Sequence, residues 1–407
     1  MSDSKLLVLS YMVKEEPIDT GNNLIQAFID NNALYLDYKE LYSKYGFVGA
    51  HNYISEYVSR NEINCLIYFS NPSEFYFGVD FFEKLREEIF LVMITGDAEH
   101  YYEVRDQYYA QAMDLVVVND FISPFKLRQI GINSIAYFGY FDTIRYHKIE
   151  NLQKNMEVSF IGQLTGKVGR LNYINYLLKN NINVKVLGND SLERKVSLEN
   201  KIEIFNRTKI NLNFSGIAEE TILTRKYRIH TRAKQIKGRI FEIASCGGFV
   251  LSEYAPGLER LFEIGNEIDV FYDKEELLEK VKYYLEHDGE REEIARRGCE
   301  RATKDYDVKQ AVPKLISAID ELRKNKIYKP SEIYLDDEFV RNYTTYRILL
   351  TLRFVKAGKL KFALEELKII LKYRKLDWYQ IRIFFQEESL RVPQIKSVLK
   401  LMRDIKK

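Results

Sequence analysis

Short, almost wholly apolar runs alternate with helix-length segments along most of this chain, and that alternation constrains its fold more than any other feature. Residues 6–11, 33–38, 65–70, 90–95, 115–119 and 134–138 read as strands buried on both faces. Between them, 21–31, 40–60 and 100–113 are long enough for crossover helices. Such alternation builds a doubly wound parallel sheet with right-handed crossovers. A polar stretch without period, 141–156, reads as a linker, and the pattern then restarts. Strands are expected at 158–162, 183–187, 210–214, 248–252 and 268–272, with helices at 169–180, 240–245 and 274–287. Asp307, with Gln310 three residues on, opens a further helix towards Lys324. The expected architecture is α/β: a first domain at 1–150, a second at 151–325 and a basic helical appendage at 326–407.

Composition narrows the function classes. A single core rarely grows past roughly 250–300 residues, so a chain of 407 should divide. Hydrophobic residues at 46% exclude a mainly disordered chain, and no apolar run approaches the ~20 residues of a membrane span. Met1–Ser10 enters a strand directly, without the basic region and cleavage site of a signal peptide. Three cysteines, Cys65, Cys246 and Cys299, are too few and too scattered for a disulfide framework or a metal site. A cytoplasmic protein, or one peripheral to a membrane, is expected. Residues 339–407 carry 17 Lys+Arg against 6 Asp+Glu, whereas the first 338 carry 44 against 53. A basic tail on an acidic body suits an anionic surface or nucleic acid; solvated helix faces give the same count. Residues 357–364 resemble half of a tetratricopeptide repeat, and the tail is expected to pack on the second domain.

Chemistry-bearing residues concentrate around one short helix. Lys237 and Arg239 precede it, Glu242 lies one turn along, and Gly247-Gly248 follow. Cationic side chains and helix N-terminal amides suit a nucleoside diphosphate, and a carboxylate there can accept ribose hydroxyls. Gly162, Lys167 and Arg170 form a second glycine-rich strand–helix turn suited to phosphate. Seven Lys/Arg and His230 fill 224–239, a run that either closes over phosphates or is simply solvated. In the first domain, Asp97 and His100 follow the fourth strand and are candidates for a general base or an acceptor contact. A helix cap and a surface histidine are the plainer alternatives. Asp305-Tyr306-Asp307 has the DxD form of a metal motif, but Asp307 is better placed as a helix cap, so no metal is expected.

The run from Arg239 through Glu242, Gly247 and Gly248 to Ser252 resembles the signature of GT-B glycosyltransferases of the CgeB-like, spore-maturation branch. The resemblance extends through 256–267, 272–273, 275–277, 284–288 and 291–298, and includes the strands at 158–162 and 209–215. It covers roughly 156–318 well, the first domain only by pattern, and the tail not at all. It implies two Rossmann-like domains facing a cleft, with a nucleotide-sugar donor, a UDP-sugar first among them, and a glycan or other hydroxyl acceptor. No separate cofactor is implied. Glu242 takes the place of the donor-ribose carboxylate, and Arg239 that of the cation stabilising the departing diphosphate. Gly162, Lys167, Arg170, Asn213, Lys237, Gly247 and Gly248 complete the implied donor site, with Asp97, His100 and Arg239 as the catalytic set. Many relatives carry a further glutamate eight residues before the ribose carboxylate, where this chain has Lys234. That departure keeps open an inactive binding or scaffold protein; the basic tail keeps open a nucleic-acid-associated transferase. A sugar-nucleotide epimerase is a further enzymatic alternative.

Overall fold

A computed structural model describes residues 4–13, 20–69, 71–164, 168–188, 196–217, 223–227 and 233–390. Six strands, β1 Leu6–Ser10, β2 Leu34–Asp37, β3 Cys65–Phe69, β4 Phe90–Thr95, β5 Leu115–Val118 and β6 Ser134–Ala136, form one sheet. Its order is β2-β1-β3-β4-β5-β6, and every pairing is parallel. Five more, β7 Met156–Ile161, β8 Val184–Leu187, β9 Thr208–Asn213, β10 Val250–Glu253 and β11 Asp269–Phe271, form a second parallel sheet ordered β11-β10-β9-β7-β8. The continuous apolar runs explain this arrangement. All of β1, β4 and β5 is buried, because helices cover both faces of the sheet.

The helices depart from expectation at two places, each with a packing reason. The segment expected as one helix over 100–113 divides into Ala98–Tyr101, a π-helical turn Tyr102–Asp106, and Gln107–Ala110. The wider turn coincides with the inward pair Arg105–Asp106, 2.8 Å apart and buried. Helix Tyr38–Arg60 breaks at Gly46, whose φ of 72° is open to glycine at no steric cost. A Cβ at Gly46 would lie 2.5 Å from Phe362 Cδ1, so the break admits a side chain from the far end of the sequence.

That contact exposes a correction. The appendage, expected on the second domain, docks chiefly on the first, and the second reaches it only through the 223–227 segment among the described residues. Phe339, Tyr343, Tyr346, Leu349, Leu350, Phe354 and Ala363 share one core with Leu7, Tyr38, Tyr42, Phe77 and Tyr109. Helix Val308–Lys324 also crosses back, placing Val312, Leu315 and Ile319 beneath β1, β3 and β5 with Leu24 and Phe28. The chain therefore passes between the sheets twice, and the two passages touch. Val308 N donates to Phe141 O at 2.8 Å, and the Thr143 hydroxyl donates to Asp307 Oδ2 at 2.6 Å.

Candidate functional site

In a parallel sheet the carboxyl ends of the strands open into loops, and ligands sit there. From the first sheet, β4 ends at Thr95 and turns through Gly96 into Asp97, which adopts the left-handed conformation (φ 55°). From the second, β7 leads to Gly162, β9 to Ser215 and Gly216, and β10 ends on Glu253. Helix Arg239–Ser245 begins at the same level. These groups meet. Gln235 Nε2 donates to Asp97 Oδ1 at 2.5 Å and to Glu99 Oε2 at 3.2 Å, while its own Oε1 accepts from Lys237 Nζ. One glutamine thus joins two carboxylates of the first domain to a cation of the second.

Behind Lys237 lie two guanidinium groups. Arg170 and Arg239 both stand over the Phe160 ring, at 5.8 and 4.9 Å from its centroid. Gly162 makes room for them, since a Cβ there would lie 2.4 Å from Arg239 Nη2. Arg239 Nη1 donates to Asn213 Oδ1 at 3.2 Å, and Asn213 is itself held by Ser252 Oγ at 2.9 Å. Arg170 donates, among the described residues, to main-chain carbonyls alone, Gln163 O at 2.9 Å and Gly216 O at 3.2 Å, and its Nε finds no partner there. Among the described residues, neither guanidinium has a carboxylate within 4.0 Å.

The electrostatics follow from that imbalance. Burial, reinforced by the charge of Arg239, pulls Arg170 down to about 10 against the raising effect of Glu253. Burial likewise lowers Arg239, against the raising effect of Glu242. Lys237 falls to about 8; burial dominates, and the two arginines outweigh part of the support from Asp97 and Glu99. On the facing wall, burial followed by repulsion from Asp120 and Asp97 pushes the Glu99 carboxyl well above its usual range. Burial lowers the proton affinity of all three cations, with Arg239 adding to it at Arg170 and both arginines at Lys237, a combination that an anionic ligand would relieve.

The structure places the remaining predicted residues differently. Asp97, Gly162, Arg170, Asn213, Lys237 and Arg239 converge as described. His100 is buried, with Nε2 2.9 Å from Thr224 Oγ1 of the opposite domain. Glu242 is buried one turn deeper and already engaged, 2.6 Å from Lys201 Nζ and accepting from the Tyr146 hydroxyl at 3.0 Å. Burial would raise its pKa, but Lys201, Arg239 and Tyr146 together hold it below the usual carboxylate range. Gly247 and Gly248 do not reach the phosphate level. They follow the C-terminal end of that helix, and Gly247 lines a 350 Å³ surface recess with Lys154 and Lys209, at the amino ends of β7 and β9. Gly247 supplies a positive φ of 67°, and a Cβ on Gly248 would lie 2.8 Å from Asn211 Nδ2, so both serve the turn and its packing. Lys167 and His230 lie outside the described residues. Asp307 caps its helix through Lys309 N at 2.9 Å.

Several participants escape a reading by motif. Gln235 sits inside a run that reads as charge. Glu253 accepts from Ser215 N at 2.9 Å and Gly216 N at 3.1 Å, shapes the loop that Arg170 grips, and pairs with Lys234 at 3.1 Å. Lys201 and Tyr146 are 41 and 96 residues from Glu242, and no local spacing announces them. The basic run is neither simply solvated nor wholly at the site. Leu223 joins the first domain's core, Arg225 pairs with Asp377, and the Tyr227 hydroxyl donates to Glu338 at 2.7 Å.

Comparison with known proteins bears on the fold and on the second domain. Residues 170–317 match the family model described as glycosyl transferase-like. No curated protein matches the sequence. Among solved structures, Anabaena HepE in complex with UDP superposes with a TM-score of 0.54 at 14% identity, covering 77% of this chain and 100% of that one. The same protein with UDP and glucose gives 0.54 at 15% identity, covering 77% and 100%. Sucrose-phosphate synthase from Thermosynechococcus elongatus gives 0.53 at 10% identity, covering 79% and 100%. The fold is GT-B: two parallel α/β domains with their strand ends converging, extended here by C-terminal helices. Its second domain carries the glycosyl transferase-like match. Among the described residues no helix is long and apolar enough to cross a membrane.

Proposed function

We propose that the protein transfers a sugar from a nucleoside diphosphate donor to a hydroxyl acceptor between the two sheets. The observation that carries this reading is the pair Arg170 and Arg239, both over the Phe160 ring with no carboxylate within 4.0 Å among the described residues, and Lys237 beside them. In this scheme the acceptor oxygen attacks the anomeric carbon, and the bond from that carbon to the diphosphate oxygen breaks. Arg170, Arg239 and Lys237 take up the charge that develops on the departing diphosphate, and Asp97 takes the acceptor proton. The three cations supply the leaving-group stabilisation, so the scheme calls on no cofactor. A carboxylate accepts up to four hydrogen bonds, so Glu242 can receive ribose hydroxyls while keeping Lys201 and Tyr146.

A UDP-sugar is the donor we favour, supported by the neighbour solved with UDP and with UDP and glucose. The finer placement in the CgeB-like branch rests on the Arg239–Ser252 signature. Three free cysteines suit a reducing cytoplasm, where we place the protein. Titration calorimetry with UDP, ADP and GDP on wild type, Arg239→Ala and Arg170→Ala tests the reading. One diphosphate should bind wild type and bind both variants at least about tenfold more weakly; no binding to wild type at millimolar ligand overturns it. Binding without turnover of any UDP-sugar, with or without acceptor, would instead identify a silent binding protein.

A further inference from the structure

Helix Leu360–Tyr373 in the appendage has an outward face of unusual composition. Every exposed residue on it is leucine or lysine: Leu360, Lys361, Leu364, Leu367, Lys368, Leu371 and Lys372. The four leucines are 62%, 58%, 38% and 63% exposed. Their 4-3-4 spacing confines them to an arc of about 60° at 3.6 residues per turn, and the three lysines share one flank of that ridge. Neither acid of the helix belongs to this face. Glu366 is buried against Arg347, and Glu365 accepts from Val48 N at 3.3 Å. Just beyond the helix, Arg374 is exposed and Trp378 is 75% exposed.

We propose that this face seats the protein on an anionic membrane surface. A row of leucines flanked by lysines, with tryptophan close by, is the chemistry of a helix lying in the bilayer interface. The leucines enter the acyl boundary, the lysine stems follow them while the ammonium groups reach lipid phosphates, and the indole sits at headgroup level. At 14 residues the helix is too short to span, so it lies flat. Charge separates this occupant from two others. A second copy would bring a face without exposed acids against itself, leaving its lysines without countercharge. Nucleic acid would engage the lysines but press four leucines towards phosphates or leave them in water.

The test is co-sedimentation of the full chain with phosphatidylcholine vesicles, with and without phosphatidylserine. Wild type should sediment with the anionic vesicles only. Leu364→Ser/Leu371→Ser should lose about tenfold in partitioning, as expected when apolar burial is removed. Lys361→Gln/Lys368→Gln/Lys372→Gln should bind the anionic vesicles no better than neutral ones. Both variants change exposed side chains and should keep the wild-type melting temperature and UDP affinity, which separates failure here from failure of the proposed transfer. Three results overturn the proposal: no sedimentation of wild type, full retention in the leucine variant, or a wild-type dimer that the leucine variant dissolves. Tighter binding to a DNA oligonucleotide than to vesicles, insensitive to the leucines, would overturn it in favour of nucleic acid.

Discussion

Two arginine clusters in this molecule are buried by similar means and treated oppositely. Arg347, in the appendage helix Asp337–Lys356, is fully buried between the Tyr343 and Phe47 rings, 4.4 and 5.4 Å away. It has an anion: Glu366 Oε2 is 3.3 Å away, and its Nη1 also donates to the Tyr42 hydroxyl and Tyr76 O at 2.8 and 3.2 Å. Burial alone would lower its pKa, yet Tyr343, Tyr42 and Glu366 hold it well above the ordinary value. Arg170 shares the aromatic support but, among the described residues, has no carboxylate within 4.0 Å; burial and the charge of Arg239 outweigh the more distant Glu253, and its pKa falls to about 10. On the proposed function, a close countercharge separates an arginine that holds two parts of a fold together from one held ready for a ligand.

Removing the partner at the structural pair should have the largest effect. Glu366→Ala leaves Arg347 buried without an anion, and breaking such a pair costs about 3–5 kcal/mol. Urea unfolding should show that loss; a change below about 1 kcal/mol would break the comparison, since the pair would then be as dispensable as a surface one. At the ligand pair the effect should appear in binding and not in folding. Arg239→Ala should weaken UDP about 10- to 100-fold, the loss of charged hydrogen bonds worth roughly 1.5–3 kcal/mol. Unfolding free energy should change far less than in Glu366→Ala, because among the described residues Arg239 has no carboxylate within 4.0 Å to leave behind.

Lys237 sharpens the contrast through pH. Its folded value of about 8 lies below the ordinary 10.5. A bound diphosphate favours the protonated amine, so UDP affinity should fall as pH rises through about 8, and Lys237→Met should flatten that slope. Between about 8 and 10.5 the unfolded chain holds this proton and the native chain does not, so this lysine's contribution makes the fold more stable as pH rises through that window. Affinity and stability should therefore move in opposite directions. A parallel fall of both would mean that the affinity loss is unfolding. The smallest effect belongs to Gly247→Ala, which forces a side chain onto φ 67° and should cost about 1 kcal/mol with UDP affinity unchanged.

Much of the architecture was legible because it depends on local periodicity. The runs at β1, β4 and β5 could only be strands covered on both sides, and the restart after residue 156 marked a second sheet. Arg170, Lys237 and Arg239 were legible because cations beside a strand–helix turn have a chemical reason to be there. Gly247 and Gly248 misled, since a glycine pair has the same appearance whether a phosphate or a side chain approaches it. Gln235 and Glu253 were invisible because an amide in a charged run and a carboxylate at a strand end acquire meaning only from partners 138 and 38 residues away.

By itself the sequence determined the two doubly wound domains, the linker between them, and the concentration of cations around helix Arg239–Ser245. Burial periodicity and residue chemistry are properties of neighbouring positions. Tertiary structure alone decided that the appendage docks on the first domain, that Gln235 links Asp97 to Lys237 across the domains, and that Arg347 is neutralised while Arg170 is not. Those outcomes depend on which distant side chains share a low-dielectric space, and chain order carries no record of that.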